Sequence, residues 1–134
     1  MKAILIAAVL GGVLAAGGAQ AHHSGSMYDI QKSVSLSGTV KEFEWTNPHS
    51  WLQLMATKPG GGEQEWSIEL AAPGVLTHRG WKPSFFKPGD KVSVTVRPMK
   101  DGTAGGSFVT ATLANGTVIT TGNGSGGGTV AQPD

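Results

Sequence analysis

The sequence predicts a mostly β domain, an OB-like five-stranded barrel with one short helix between the third and fourth strands. Three observations support this prediction. The chain of 134 residues has 21 glycines and only 14% charged residues, a composition unlike that of a helical bundle or a coiled coil. Hydrophobic residues alternate with polar ones in several short runs, which is the period of a half-buried strand. A single helical segment interrupts these runs after the third of them.

The first half of the chain contains three predicted strands, at 33–45, 50–58 and 65–70. In the first of them, the hydrophobic residues change parity between Val40 and Phe43. Such a change indicates a β-bulge, and Gly38 just before it eases a bend in the strand. The Asn47-Pro48 pair predicts the turn that leads into the second strand.

The second half of the chain contains the predicted helix and the remaining strands. Pro73 suits the first helical turn, and Gly80 followed by an aromatic residue fits the end of a helix. The remaining strands are predicted at 92–96, 107–113 and 117–121. A small β-sandwich is the alternative architecture for the same elements.

The chain divides into four predicted segments: a signal peptide at 1–21, an N-terminal arm at 22–32, the barrel at 33–121 and a disordered Gly-rich tail at 122–134. Lys2, an apolar run and the small residues of Ala19-Gln20-Ala21 together fit a Sec-type signal that is cleaved after Ala21. We therefore expect a periplasmic or secreted protein without membrane attachment after cleavage.

Cleavage also changes the charge of the protein. Lys2 is one of 10 basic residues, which stand against 9 acidic ones, so its removal takes the formal net charge from +1 to zero. A neutral exported chain lacks the basic surface that nucleic-acid binding requires. We therefore expect no nucleic-acid partner.

Three histidines are the candidate metal ligands: His22, His23 and His49. Cleavage after Ala21 would leave a chain that begins with His22, which offers copper its α-amine and its imidazole. His49 is the candidate third nitrogen ligand, and His23 offers a competing chelate. Amine and imidazole nitrogens suit Cu(II). The chain has no cysteine, so any metal must be held by nitrogen ligands; copper is the candidate cofactor, and the alternative is no cofactor. The competing interpretation is an unstructured end that binds copper weakly.

His49 also has a purely structural interpretation, because it lies between two tryptophans in the sequence Trp-Thr-Asn-Pro-His-Ser-Trp. In that interpretation its ring packs between Trp45 and Trp51. The same segment supports an alternative function, in which a metal-free module binds a peptide, glycan or protein partner of the envelope. The candidate ligand-binding residues for that function are Trp45, Asn47 and Trp51.

The sequence contains no recognisable catalytic set, and we expect a protein that is not an enzyme. Glu42, Glu44, Glu65 and Glu69 are scattered over the predicted strands and are expected to be outward-facing, solvated charges. His78, on the short helix, is expected to be exposed and uninvolved. A copper oxygenase would also use an amino-terminal histidine, but removal of 21 of the 134 residues leaves a chain that is small for one.

The combination of these motifs resembles an uncharacterised family of small exported bacterial proteins, classed as a domain of unknown function. The resemblance rests on the mature start His22-His23-Ser24, on Tyr28-Asp29, and on the run from Phe43 to Trp51. It continues through Glu65-Trp66, Arg79-Gly80-Trp81 and Lys87-Pro88-Gly89-Asp90. It implies an exported OB-like domain and gives support to a metal site at His22, His23 and His49, but it implies no activity.

Overall fold

A computed structural model describes residues 27–121 and the backbone of 130–131. In chain order the elements are β1 (Val34–Glu44), β2 (Ser50–Thr57), β3 (Glu63–Leu70), α1 (Pro73–His78), a 3₁₀ turn (Pro83–Phe85), β4 (Lys91–Pro98), β5 (Gly105–Leu113), β6 (Val118–Thr120) and β7 (Val130–Ala131).

The first five strands form a closed barrel, which confirms the predicted fold class. Antiparallel pairs join β1 to β2 and to β4, β2 to β3, and β4 to β5. A parallel pairing of β3 with β5, with Ile68 opposite Gly106, closes the barrel. A Cβ atom on Gly106 would lie 2.7 Å from the carbonyl oxygen of Arg97, so the closure depends on the close approach that only glycine permits.

The long strand β1 belongs to both halves of the barrel because it bends and bulges in its middle. Its pairing with β2 shifts register between Val40 and Glu42, where the change in hydrophobic parity predicts a bulge. At Gly38 the two strands come so close that a Cβ atom would lie 2.1 Å from the carbonyl oxygen of Met55. Both features tighten the curvature that a small closed barrel needs.

The single α-helix follows β3 and ends in the way that its sequence predicts. The amide of Gly80 donates to the carbonyl of Thr77, and the amide of Trp81 donates to that of Leu76, the pair of bonds found in a Schellman C-terminus. Leu76 and Trp81 are both buried. They join the interior formed by alternate residues of the strands: Leu36, Val40, Leu52, Leu54, Ala56, Ile68, Leu70, Val92, Val94, Val96, Phe108, Ala111 and Ile119.

The end of the predicted N-terminal arm packs along the barrel beside the end of β4. Tyr28 forms an isolated antiparallel bridge with Met99, the amide of Asp29 donates to Pro98, and the amide of Lys100 donates to Met27. The segment from Met27 therefore acts as a short added strand. In the described residues, no helix is long and apolar enough to cross a membrane.

Several predictions concern residues outside the described part of the chain. The signal peptide, His22 and His23 precede Met27, and most of the predicted disordered tail lies in 122–129 and 132–134. Within the range of that tail, Val130 and Ala131 pair with Ile119 and Val118 of β6.

Candidate functional site

His49 directly precedes β2 and ends the turn that connects β1 to β2. The Asn47–Pro48 peptide bond in this turn is cis, and the Thr46 hydroxyl donates to the carbonyl oxygen of His49 at 2.9 Å. The next residue, Ser50, is fully buried and pairs with Leu70. A rigid strand therefore fixes the backbone of His49, as a well-ordered site requires.

The imidazole of His49 pairs with the carboxylate of Glu69. Its Nδ1 atom lies 2.7 Å from Oε1 of Glu69, and the histidine side chain is 36% exposed whereas that of Glu69 is 9% exposed. Because an ionised carboxylate only accepts hydrogen bonds, Nδ1 must carry a hydrogen. In the neutral ring, the nitrogen without a hydrogen is then Nε2.

The burial of Glu69 corrects the expectation that it is a solvated, outward-facing charge. It does face outward from the barrel wall, on the side shared with Trp51, its partner on β2. The residue as a whole is nevertheless only 7% exposed. The N-terminal arm crosses this part of the wall and covers it, and a buried carboxylate must then be hydrogen-bonded or paired.

Tyr28 provides the second partner of that carboxylate. Its hydroxyl donates to Oε2 of Glu69, so the two carboxylate oxygens have one donor each, the phenol and the imidazole. Burial raises the pKa of the Tyr28 phenol well above its usual range, and the hydrogen bond and the negative charge of Glu69 raise it further. The phenol is therefore the donor, and the carboxylate the acceptor, in this hydrogen bond at neutral pH.

Tyr28, Glu69 and His49 together line an open cavity of about 310 Å³. Arg79 and Phe108 line it as well, and Nη1 of Arg79 donates to the carbonyl oxygen of Thr121 at 3.1 Å. A cavity lined by apolar residues and a few polar side chains is typical of a binding site.

The residues of the predicted tryptophan face, Trp45, Asn47 and Trp51, lie in different surroundings. Trp45 packs against the core and meets Phe43 edge to face at a centroid distance of 5.6 Å. Trp51 instead lies on the outer side of β2, where it lines a separate cavity with Met27 and Tyr28. Asn47 is exposed in the turn between them.

The remaining predicted ligands have different outcomes. His22 and His23 lie outside the described residues, and His78 is exposed at the end of α1, as expected. Within the part of the chain that the structure describes, no group of three or more His, Asp or Glu side chains is arranged to hold a metal ion.

Two residues of the site, Tyr28 and Glu69, were not predicted as site residues. Parity along the third strand places Glu69 with Glu65 on the outer side, and that pattern alone indicates solvent. The available signal was the chain's single tyrosine, which stands in the arm beside an aspartate. A large aromatic side chain in a short arm before a barrel is expected to pack against the barrel surface and to hydrogen-bond through its hydroxyl.

Comparison with known proteins gives one match. The chain matches a family of unknown function, DUF6152, over residues 11–108, well over half of its length. The chain belongs to this family. No curated protein and no solved structure matches it.

Membership of DUF6152 confirms the resemblance inferred from the sequence motifs. The matched range includes all three members of the Tyr28–Glu69–His49 cluster. The description of DUF6152 states no activity, so a function for this chain must be argued from the chemistry of the cluster itself.

Proposed function

We propose that the protein is exported to the periplasm and binds Cu(II) there, as a storage, delivery or sequestration protein rather than an enzyme. The ligands would be the α-amine and imidazole of His22, which becomes the first residue on signal cleavage, and Nε2 of His49. His23 would be a further ligand. The observation that carries the proposal is the pairing of His49 Nδ1 with the buried carboxylate of Glu69.

That pairing is the usual arrangement behind a metal-binding histidine. Such a histidine almost always donates its second ring N–H to a carboxylate, a carbonyl or a water molecule, which fixes the tautomer and the direction of the ring. Glu69 supplies this carboxylate, and Tyr28 holds it in place. Nitrogen ligands of this kind favour Cu(II), which lies at the top of the affinity order of divalent first-row ions.

The position of Tyr28 also supports the participation of His22. His22 lies six positions before Tyr28, which corresponds to a contour length of at most about 20 Å. Tyr28 is anchored to Glu69, and Glu69 contacts His49. Because Tyr28 is held beside Glu69 and His49, the segment that precedes it is long enough for His22 to approach His49.

The alternative function, a metal-free module that binds a partner through Trp45 and Trp51, has less support. Trp45 packs against the core whereas Trp51 lies on the outer side of β2. The two rings therefore have different neighbours, the core for Trp45 and the outer cavity for Trp51.

A competitive Cu(II) titration tests the proposal, with the terminus of the purified protein confirmed as His22 by mass spectrometry. We expect one tight site, which weakens by about tenfold or more in His49→Ala, because the loss of a ligand should exceed the effect of disturbing an outer partner. Acetylation of the α-amine of His22 should weaken it similarly, since an amide nitrogen no longer offers the amine lone pair to the metal. His78→Ala, which changes an exposed histidine on α1, is the matched control. Equal affinity in all four proteins would refute the proposal.

A further inference from the structure

The second cavity on the outer side of the barrel holds two methionines. Its volume is about 190 Å³, and Met27, Met99 and Trp51 line it together with Tyr28. Met27 comes from the arm and Met99 follows β4, and the backbone bonds between these two segments keep them side by side. Two thioethers that are 72 residues apart in sequence are thus brought to one cavity.

The chemistry of this cavity is unlike that of the His49 site. The side chains that line it include no charged group, and its most strongly coordinating atoms are the thioether sulfurs. Thioethers are soft ligands that select Cu(I) and leave harder divalent ions to nitrogen and oxygen sites. The Trp51 indole lines the same cavity, and the face of an indole ring attracts a cation.

The methionine side chains that line the cavity also have room to move their sulfur atoms towards a bound ion. Met27, Met99 and Trp51 are each half-buried, and methionine has three rotatable bonds, which let its sulfur move without the backbone. Glycine at position 105 leaves space for Met99, whose Cγ lies 3.3 Å from where a Cβ atom on that residue would be. A monovalent ion costs less to desolvate than a divalent one in such neutral surroundings.

We propose that Met27 and Met99 form a second metal site, specific for a soft monovalent cation, Cu(I), with Trp51 packed beside it. This site is independent of the proposed Cu(II) site, since it uses no histidine and no terminal amine. No electron transfer is involved, because the ion binds in the oxidation state in which it arrives. The alternative is that the two methionines only fill the space between the arm and the barrel wall.

The test is a titration of the mature protein with Ag(I), a redox-inert probe for Cu(I), followed by NMR of the methionine methyl groups. From His22 onward the chain has only three methionines. Met55, on β2 opposite Thr39 and Glu65, is therefore an internal control. We expect the Met27 and Met99 signals to shift together and saturate at one equivalent of Ag(I), while Met55 stays in place.

Variants complete the test. Met27→Leu with Met99→Leu conserves volume and should weaken Ag(I) binding by more than about tenfold, whereas Met55→Leu should not change it. If the double variant fails to fold, the single Met99→Leu variant and the wild-type methyl shifts decide the question. Lowering the pH below the usual histidine pKa of about 6.5 should leave this binding intact, because a thioether has no proton to gain. Equal shifts at all three methionines, or unchanged affinity without Met27 and Met99, would overturn the proposal and leave packing as the role of the pair.

Discussion

Removal of the Tyr28 hydroxyl tests the hydrogen bond that joins the N-terminal arm to the barrel. Tyr28→Phe keeps the ring and its packing, and it deletes only the donor to Glu69. The acceptor is the carboxylate of Glu69, a residue that is only 7% exposed, so water replaces the lost donor poorly.

The size of the effect follows from the kind of bond that is lost. A hydrogen bond to a charged group contributes about 1.5–3 kcal/mol, so we expect the free energy of unfolding to fall by about 2 kcal/mol. In a domain of this size, that loss lowers Tm by roughly 8–16 °C. Thermal and denaturant unfolding followed by circular dichroism measure both quantities.

Ser37→Ala is the matched control for this experiment. It also deletes a hydroxyl, in this case one that is hydrogen-bonded to Ser93 at 3.2 Å on an exposed part of the barrel. Its effect should remain within about 0.5 kcal/mol. If Tyr28→Phe is as mild as Ser37→Ala, the Tyr28–Glu69 bond does not anchor the arm and our reasoning about the site is wrong.

The remaining predictions concern the same connection, the metal site and the barrel. Tyr28 is the only tyrosine, so the tyrosinate absorbance of the folded protein should not appear near the ordinary phenol pKa of 10.0. The free energy of unfolding should decrease as the pH rises above about 10, because the phenol then ionises only in the unfolded chain. A tyrosinate titration of the folded protein near the ordinary pKa would contradict this. Glu69→Gln should weaken Cu(II) binding by about 10- to 100-fold, since an amide has only one acceptor oxygen for the two donors that the carboxylate accepts, the His49 imidazole and the Tyr28 hydroxyl; unchanged affinity would remove Glu69 from the site. Cu(II) affinity should also decrease as the pH is lowered, because amine and imidazole must lose protons to bind; an affinity that does not change with pH would exclude nitrogen ligands. Gly38→Ala should destabilise by about 3 kcal/mol or more, because its Cβ would lie 2.8 Å from Cα of Ala56, whereas Gly74→Ala, with open space around it, should be neutral or stabilising; equal melting temperatures would contradict the close approach.

The barrel was predictable because its signals are local in sequence. The change in the parity of hydrophobic residues after Val40 predicts the bulge, and Pro73 and Gly80 predict the two ends of the helical segment. The order of strands around the helix then leaves few closed arrangements. Each of these signals depends on residues within a few positions of one another, and the structure confirms them.

The site was only half predictable because its connections are not local. His49 stands out beside a turn, but Glu69 differs in no sequence property from Glu65, which is exposed and pairs with Lys41. What buries Glu69 is Tyr28, 41 residues earlier in the chain. The alternation of a strand tells which side a residue faces, and it does not tell whether another segment covers that side.

The two tryptophans illustrate the same limit. The motif places Trp45 and Trp51 six residues apart, which suggests a shared platform. A turn and the start of β2 lie between them, so one ring meets Phe43 and the core while the other meets the arm. Spacing along the chain does not fix a common surface when the chain reverses direction within it.

In the proposed copper site, imidazoles from the new terminus and from His49 hold one copper ion. Pulsed electron paramagnetic resonance of the protein loaded with one equivalent of Cu(II) counts the coordinated imidazoles through their remote nitrogens. The proposal predicts two or more imidazoles in the processed wild-type protein and one fewer in His49→Ala. Identical spectra from the two proteins would show that His49 does not bind the metal, and would contradict the proposed function.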